Sequence, residues 1–127
     1  MHRIILGIGS NYDQENNVAY AAEQLRTLFS SIRFSQSYYS KAEWKSYSVG
    51  PYLNQVVIAY TTLSHSEITP LLKAIEKAAG RSKELKAVGI IPIDIDLIQW
   101  NDLVLKPEDL TRSYVRKGLD ELLLKEE

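Results

Sequence analysis

Residues 18–39 read VAYAAEQLRTLFSSIRFSQSYY, and the period of the apolar residues changes partway through. Val18, Ala21, Ala22, Leu25, Leu28 and Phe29 recur at the i, i+3, i+4, i+7 spacing of one helix face. From Ile32 the period is two. Ile32, Phe34, Gln36 and Tyr38 alternate with Arg33, Ser35, Ser37 and Tyr39, as on a strand with one wetter face. The stretch predicts a helix feeding a strand.

Upstream, residues 2–9 are a β-branched apolar run ending at Gly7 and Gly9, which predicts a strand entering a tight turn. Asn11 or Asp13 can cap the helix that follows. Gly7-Ile8-Gly9-Ser10-Asn11 lacks both the third glycine of a dinucleotide loop and the Gly-Lys-Ser/Thr of a P-loop, so a turn is the better reading than a phosphate loop. Downstream, residues 41–51 form a long polar loop with two aromatics, and a strand spans 52–62. Ser64 and Glu67 make a capping box ahead of a second amphipathic helix, whose apolar face is Ile68, Leu71, Leu72, Ile75 and Ala79. Pro70 predicts that the regular helix begins near Thr69. Gly80 is its natural end. A basic loop at 81–89, a strand at 90–100 with Pro92 near its start, and a helix at 107–124 complete the chain. The order β-α-β-β-α-β plus a C-terminal helix predicts one α+β domain over 1–127. The economical packing is a ferredoxin-like antiparallel sheet with helices on one face.

Fifteen Lys and Arg against sixteen Asp and Glu leave a net charge of −1, which does not suggest a nucleic-acid partner. Cysteine is absent, so disulfides and thiolate chemistry are excluded. The opening apolar run is too short for a signal peptide or a membrane span, which predicts a cytoplasmic protein with no membrane partner. Neither His2 nor His65 has metal or triad spacing. The sequence does not indicate an oligomeric state.

Ile93-Asp94-Ile95-Asp96-Leu97 is the sharpest chemical feature. On a strand, residues i and i+2 share a face about 7 Å apart, so Asp94 and Asp96 point together while Ile93, Ile95 and Leu97 face the core. Two carboxylates so placed repel unless a cation or donor lies between them. A hard divalent cation such as Mg²⁺, with phosphates and water as its other ligands, answers that need. The plainer alternative is a solvent-facing strand carrying two Asp, although Asp is a poor strand former. Arg81, with Lys83 and Lys86 after it and Glu76 one helical turn before, can hold a polyphosphate or merely complement the helix dipole. Tyr52 and Asn54 share a strand face and suit a flat heterocycle, unless they are simply a core tyrosine and an entrance amide.

In this order, Gly9-Ser10-Asn11, Tyr52-Leu53-Asn54, Ile75-Glu76, Gly80-Arg81 and Asp94-Ile95-Asp96 resemble the 6-hydroxymethyl-7,8-dihydropterin pyrophosphokinase family of folate biosynthesis over about residues 3–111. The resemblance implies transfer of pyrophosphate from ATP to the pterin hydroxymethyl group with release of AMP. Asp94 and Asp96 would hold two Mg²⁺ ions. Asn54 would pair with the pterin edge and Tyr52 would stack on its ring, with Leu119 on the other face where the family has Phe. Glu76, Arg81, Lys83, Thr111 and Arg116 would line the nucleotide. The chain departs from the family before the aspartates. There Ala87-Val88-Gly89-Ile90-Ile91-Pro92 keeps the Gly but lacks the family's Trp and Arg. The family's Pro-His segment after the last strand is also missing, and the C-terminal part is shortened. Arg112, Arg116, Lys83 and Lys86 are the candidate replacements for the lost charge. A non-catalytic pterin- or nucleotide-binding relative and a structural domain remain the alternatives.

Overall fold

The structure is a computed structural model that describes residues 1–41 and 50–126. The loop expected at 41–51 lies mostly outside the described residues. Strand β1 (His2–Ser10) is central and antiparallel to two partners, β4 (Tyr52–Thr61) and β5 (Asp94–Trp100). The other side of β4 carries β2 (Ser31–Phe34) and β3 (Tyr38–Ser40), and β5 pairs with the short β6 (Leu103–Val104). The path is β2-β4-β1-β5-β6, with β3 also on β4. Helices α1 (Gln14–Leu28) and α2 (His65–Ala78) cover one face. A short helix α3 (Lys83–Ala87) and a C-terminal helix α4 (Ser113–Glu126) complete the α+β fold. Among the described residues, no helix is long and apolar enough to cross a membrane.

The core against α1 and α2 follows the predicted periodicities. Val18, Ala21, Leu25 and Phe29 from the first helix meet Ile4, Leu6 and Ile8 of β1, Val57 of β4, and Ile93, Ile95 and Leu97 of the β5 segment. Burying each large aliphatic or aromatic side chain here contributes about 1.5–3 kcal/mol. The second face is different. α4 lies across it and closes a smaller core of Ile5, Val56, Ile58, Ile98, Val115 and Leu122. It is fastened by Arg33, which donates to the Leu122 carbonyl at 2.9 Å, and by Tyr38 OH and the Gln36 amide, which donate to the Glu121 carboxylate.

The strand expected over residues 2–9 forms as β1, with Gly7 and Gly9 inside it and in register with β4 and β5. Four local expectations are corrected. The strand expected from Ile32 to Tyr39 is broken into two. The buried Ser35 hydroxyl accepts the Val56 N–H at 2.9 Å, and the Gln36 amide turns to Glu121. α2 begins at His65 rather than near Thr69. The Ser64–Glu67 capping box forms in full, and Pro70 sits inside the helix on its exposed side, where the carbonyl it leaves without a donor can reach water. Residues 83–87 are helical because the Ser82 hydroxyl accepts from Leu85 N–H. The last strand begins at Asp94, not at residue 90. The approach to it is held instead by Asn11, whose amide donates to Gly89 O at 2.7 Å and accepts from Ile91 N–H at 2.7 Å. Gly89 has a φ of 83°, a conformation L side chains rarely adopt, which accounts for a glycine there.

Gly118 sets how closely α4 can approach the sheet. A Cβ at this position would stand 2.5 Å from Val56 Cγ2 and 2.7 Å from Val56 Cβ. Ala is normally the better helix residue by about 1 kcal/mol. Here overpacking of about 1–3 kcal/mol opposes that gain. Gly118→Ala is expected to lower the thermal midpoint, and Gly118→Val to lower it further, in circular-dichroism melts. A rise in midpoint for Gly118→Ala would show that α4 does not bear on Val56.

Candidate active site

Two rows of residues cross the sheet at the edge of the α4 core. In one, Asn54, Gly9 and Asp94 are in register; in the other, Val56, Gly7 and Asp96. The middle member of each row has no side chain, so the backbone of β1 forms a floor between β4 and β5. A Cβ at Gly9 would lie 3.5 Å from both Asn54 Oδ1 and Tyr52 Cδ2, and one at Gly7 would lie 3.1 Å from Ile98 Cδ1. Over this floor is a small cavity of about 50 Å³, bordered by Tyr52, Asn54, Asp94 and Asp96 on the sheet and by Asp109 and Tyr114 from the C-terminal segment. Asn54 is buried and fixed: its amide group donates to Tyr38 O at 3.0 Å and to Ser40 Oγ at 2.7 Å. Those bonds use the NH₂ end and leave the carbonyl end beside Gly9.

A larger cleft of about 450 Å³ lies along β5 on its α2 side. Thr69, Lys73 and Glu76 of α2, together with Arg81 and Lys106, border it, and so do Asp94 and Asp96. The two aspartates therefore form part of the wall of both spaces.

Arg81 reaches this wall because of how α2 ends. Gly80, with φ 102°, lets its own N–H bond to Lys77 O and the Arg81 N–H bond back to Glu76 O, which is a Schellman closure. The Arg81 guanidinium then lies 2.9 Å from Glu76 Oε2, 2.8 Å from Asp94 Oδ1 and 3.3 Å from Ile93 O. Glu76 also accepts the Ile95 N–H at 2.8 Å, so its carboxylate joins the edge of β5 to Arg81. The Asp96 carboxylate meets Lys106 Nζ at 2.6 Å.

The electrostatics follow from this crowding. Burial, then the neighbouring Asp94, push the Asp96 carboxyl up to about 7, against the pull of Lys106. The closeness of the two carboxyls favours a single proton between them. Burial raises Glu76, and the Ile95 N–H and Arg81 only partly offset it. Burial also works against the charges of Arg81 and Lys106, but the carboxylates around each outweigh it and raise both pKa values. The donor set suits a hard cation: two carboxylates on one face, destabilised by each other, at the junction of two spaces. Among the described residues no three His, Cys, Asp or Glu side chains are placed to hold a metal on their own. An ion at Asp94 and Asp96 would need further oxygens from a substrate and from water.

The structure brings together Tyr52, Asn54, Glu76, Arg81, Asp94 and Asp96 of the residues singled out in the sequence. Lys83 stands nearby, in a shallow basic groove with Lys73, Lys77 and Lys86 that continues from Arg81. Leu119, Thr111 and Arg116 are not among the residues bordering either space. Leu119 packs against the smaller core that α4 closes, while Thr111 and Arg116 are exposed. Tyr114 takes the position over the cavity expected of Leu119. Lys106, Tyr114 and Asp109 were not singled out in the sequence. Nor was the role of the two glycines, although their i, i+2 spacing opposite the aspartates could have suggested it.

The raised Asp96 pKa has a definite consequence for stability. The folded state holds a proton that the unfolded chain, with a carboxyl near 3.8, has already lost. Stability should therefore fall as pH rises between about 4 and 7. Glu76 contributes in the same sense. In urea titrations at pH 5 and pH 8, Asp96→Asn is expected to flatten that fall and to be the more stable protein at pH 8. An unchanged slope would mean that the carboxyl is not perturbed.

A family model described as 7,8-dihydro-6-hydroxymethylpterin-pyrophosphokinase matches residues 5–123. A 2-amino-4-hydroxy-6-hydroxymethyldihydropteridine pyrophosphokinase of Aquifex aeolicus is 35% identical over 107 residues, covering 84% of this chain and 66% of that protein. A protein of the same name from Porphyromonas gingivalis is 29% identical over 132 residues, covering 94% of this chain and 89% of that protein. The folate synthesis bifunctional protein of Pisum sativum is 29% identical over 114 residues, covering 89% of this chain and 22% of that protein. With the family match running from β1 through α4, across the glycine floor and both aspartates, this chain belongs to the 7,8-dihydro-6-hydroxymethylpterin-pyrophosphokinase family.

Proposed function

We infer that this protein transfers pyrophosphate from ATP to 6-hydroxymethyl-7,8-dihydropterin, a step in folate biosynthesis, and releases AMP. The observation that carries the reading is the shared wall: Asp94 and Asp96 border both the small cavity and the large cleft. A transfer between two substrates needs the donor and the acceptor on either side of the charge that manages the phosphates. The family match and the names of the relatives support the pterin as acceptor and pyrophosphate as the group transferred.

In this reading the pterin lies on the floor of Gly7 and Gly9. Asn54 presents its carbonyl end to the ring edge, and its fixed amide gives the contact direction. Tyr52 borders the same space and offers a face or edge for the ring. The cavity as it stands is smaller than a bicyclic ring, so Tyr114 and Val115 must give way for entry. Tyr114 rather than Leu119 then closes the outer side. The triphosphate occupies the cleft along β5, with Thr69 and Lys73 bordering the nucleotide. Arg81, held by Glu76 and Asp94, faces the phosphates, and Lys83 extends the positive charge outward. The hydroxymethyl oxygen forms a bond to the β-phosphorus as the bridging α–β bond breaks. AMP leaves with the bridging oxygen, and the hydroxyl proton passes to solvent. Asp94 and Asp96 would hold Mg²⁺, two ions by the family's pattern, which when bound neutralises phosphate charge. That requirement fits the strain between the two carboxylates.

A second reading, binding without turnover, is favoured by residues 87–92. They carry no cation, and Ile91 and Pro92 are buried. Purified protein given ATP, Mg²⁺ and the pterin separates the two readings. The expected result is pterin-dependent AMP, reduced at least about a hundredfold in Asp96→Ala and in Asp94→Ala. Saturable pterin or ATP binding without AMP would establish the second reading in its place.

A further inference from the structure

Lys106 is placed on the aspartate pair by a hairpin. β5 turns at Asn101, whose φ is 50°, and returns as β6, pairing Trp100 with Leu103 and Gln99 with Val104. The chain then leaves the sheet. The N–H groups of Leu105 and Lys106 both converge on Ile98 O, at 2.8 and 3.2 Å, and Pro107 follows. Beyond this point, among the described residues, β5 has no strand beside residues 94–97 on that side. The Lys106 side chain reaches back across this open edge to Asp96 Oδ1 at 2.6 Å, at the border of the large cleft.

The two cations at the pair are held very differently. Arg81 is fixed by Glu76, Asp94 and the Ile93 carbonyl, and its planar fork has little freedom to leave. Lys106 Nζ has a single hydrogen-bond partner among the described residues, Asp96. Its side chain is 42% exposed, on a flexible four-carbon stem. A divalent cation seeking the same Asp96 oxygen must displace that ammonium. The ammonium released is still tethered beside the cleft by the Ile98 carbonyl.

We propose that Lys106 is a switching counter-ion. It neutralises Asp96 until a divalent cation takes that oxygen, and then turns to the phosphates of the nucleoside triphosphate in the adjoining cleft. The proposal deepens the pyrophosphokinase reading and rests on it. It assigns to the hairpin end some of the positive charge that residues 87–92 lack. Lys106 then opposes cation binding in the absence of nucleotide and favours the nucleotide in the presence of the cation. A residue that merely braced the hairpin would do neither.

The test measures two affinities on the intact chain: Mn²⁺ alone, followed by electron paramagnetic resonance, and a non-hydrolysable ATP analogue with Mg²⁺, followed by calorimetry. Lys106→Met is expected to bind Mn²⁺ at least about threefold more tightly and the analogue at least about threefold more weakly, the scale of one partly exposed ion pair. Lys106→Arg, which keeps the charge, is expected to restore the wild-type order of both. Lys106→Gln serves if the Met variant does not fold. Smaller changes, or two changes in the same direction, overturn the proposal. Absence of Mn²⁺ binding in wild type and variants alike would instead remove the cation site itself, and the proposal with it. AMP formation is not needed for either measurement, so loss of turnover alone does not decide the matter.

Discussion

Asp94 and Asp96 stand one pleat apart on the same face of β5, and the repulsion between them organises everything nearby. In a partly buried setting two such charges cannot both be carried cheaply. The protein answers with one cation from each side. Arg81 arrives from the end of α2, turned inward by the positive φ of Gly80 and steadied by Glu76. Lys106 arrives from the β6 hairpin. Glu76 adds a third carboxylate, so the cluster keeps a formal excess of one negative charge over Arg81 and Lys106. An arrangement tuned only for stability would use apolar residues on this face, as the neighbouring rows at Ile5, Ile58 and Ile98 do.

The same sheet face is thus divided in function along its length. At one end α4 buries Val115 and Leu122 against β1, β4 and β5, and Gly118 allows backbone-close contact with Val56. At the other end only the start of α4, at Tyr114 and Val115, borders the sheet, and Gly7 and Gly9 remove the side chains that would have continued the core. β1 carries both halves in one strand: Ile4, Leu6 and Ile8 fill the α1–α2 core, while the opposite parity changes from Ile5 to Gly7 and Gly9. The firmness of the helical layer underneath is what allows the exposed half to be shaped for a ligand.

How much of this could be read in advance depended on whether the information is local. The helix at 14–28, the capping box at Ser64 and Glu67, and the shared face of Asp94 and Asp96 are matters of period and nearest neighbours, and they were legible. The placement of Tyr52 and Asn54 beside the aspartates needed the family order as well, because it depends on two strands meeting across β1. Pro70 misled because a strong cap and buried Ile68 outweigh one missing hydrogen bond on an exposed helix side. Ser35 misled because a side-chain hydroxyl took a backbone ladder position, which periodicity cannot register. Lys106 and Tyr114 were invisible for a third reason. Each lies in polar sequence after the last strand, and only the three-dimensional return of the chain gives it a partner.

That last class also explains how a chain can lose charge before the aspartates without emptying the site of it. The segment 87–92 is committed to structure: Gly89 turns it, Asn11 clamps it on both sides, and Ile91 is fully buried. A cation there would have to compete with that packing. The hairpin end is under no such demand. Leu105 and Lys106 are held by backbone bonds to Ile98 O, Pro107 follows as a stop, and the Lys106 side chain is free of the core. A positive charge is tolerated most easily where the backbone is fixed and the side chain is not. The open edge of β5, beside the two carboxylates that most need a counter-charge, is such a place.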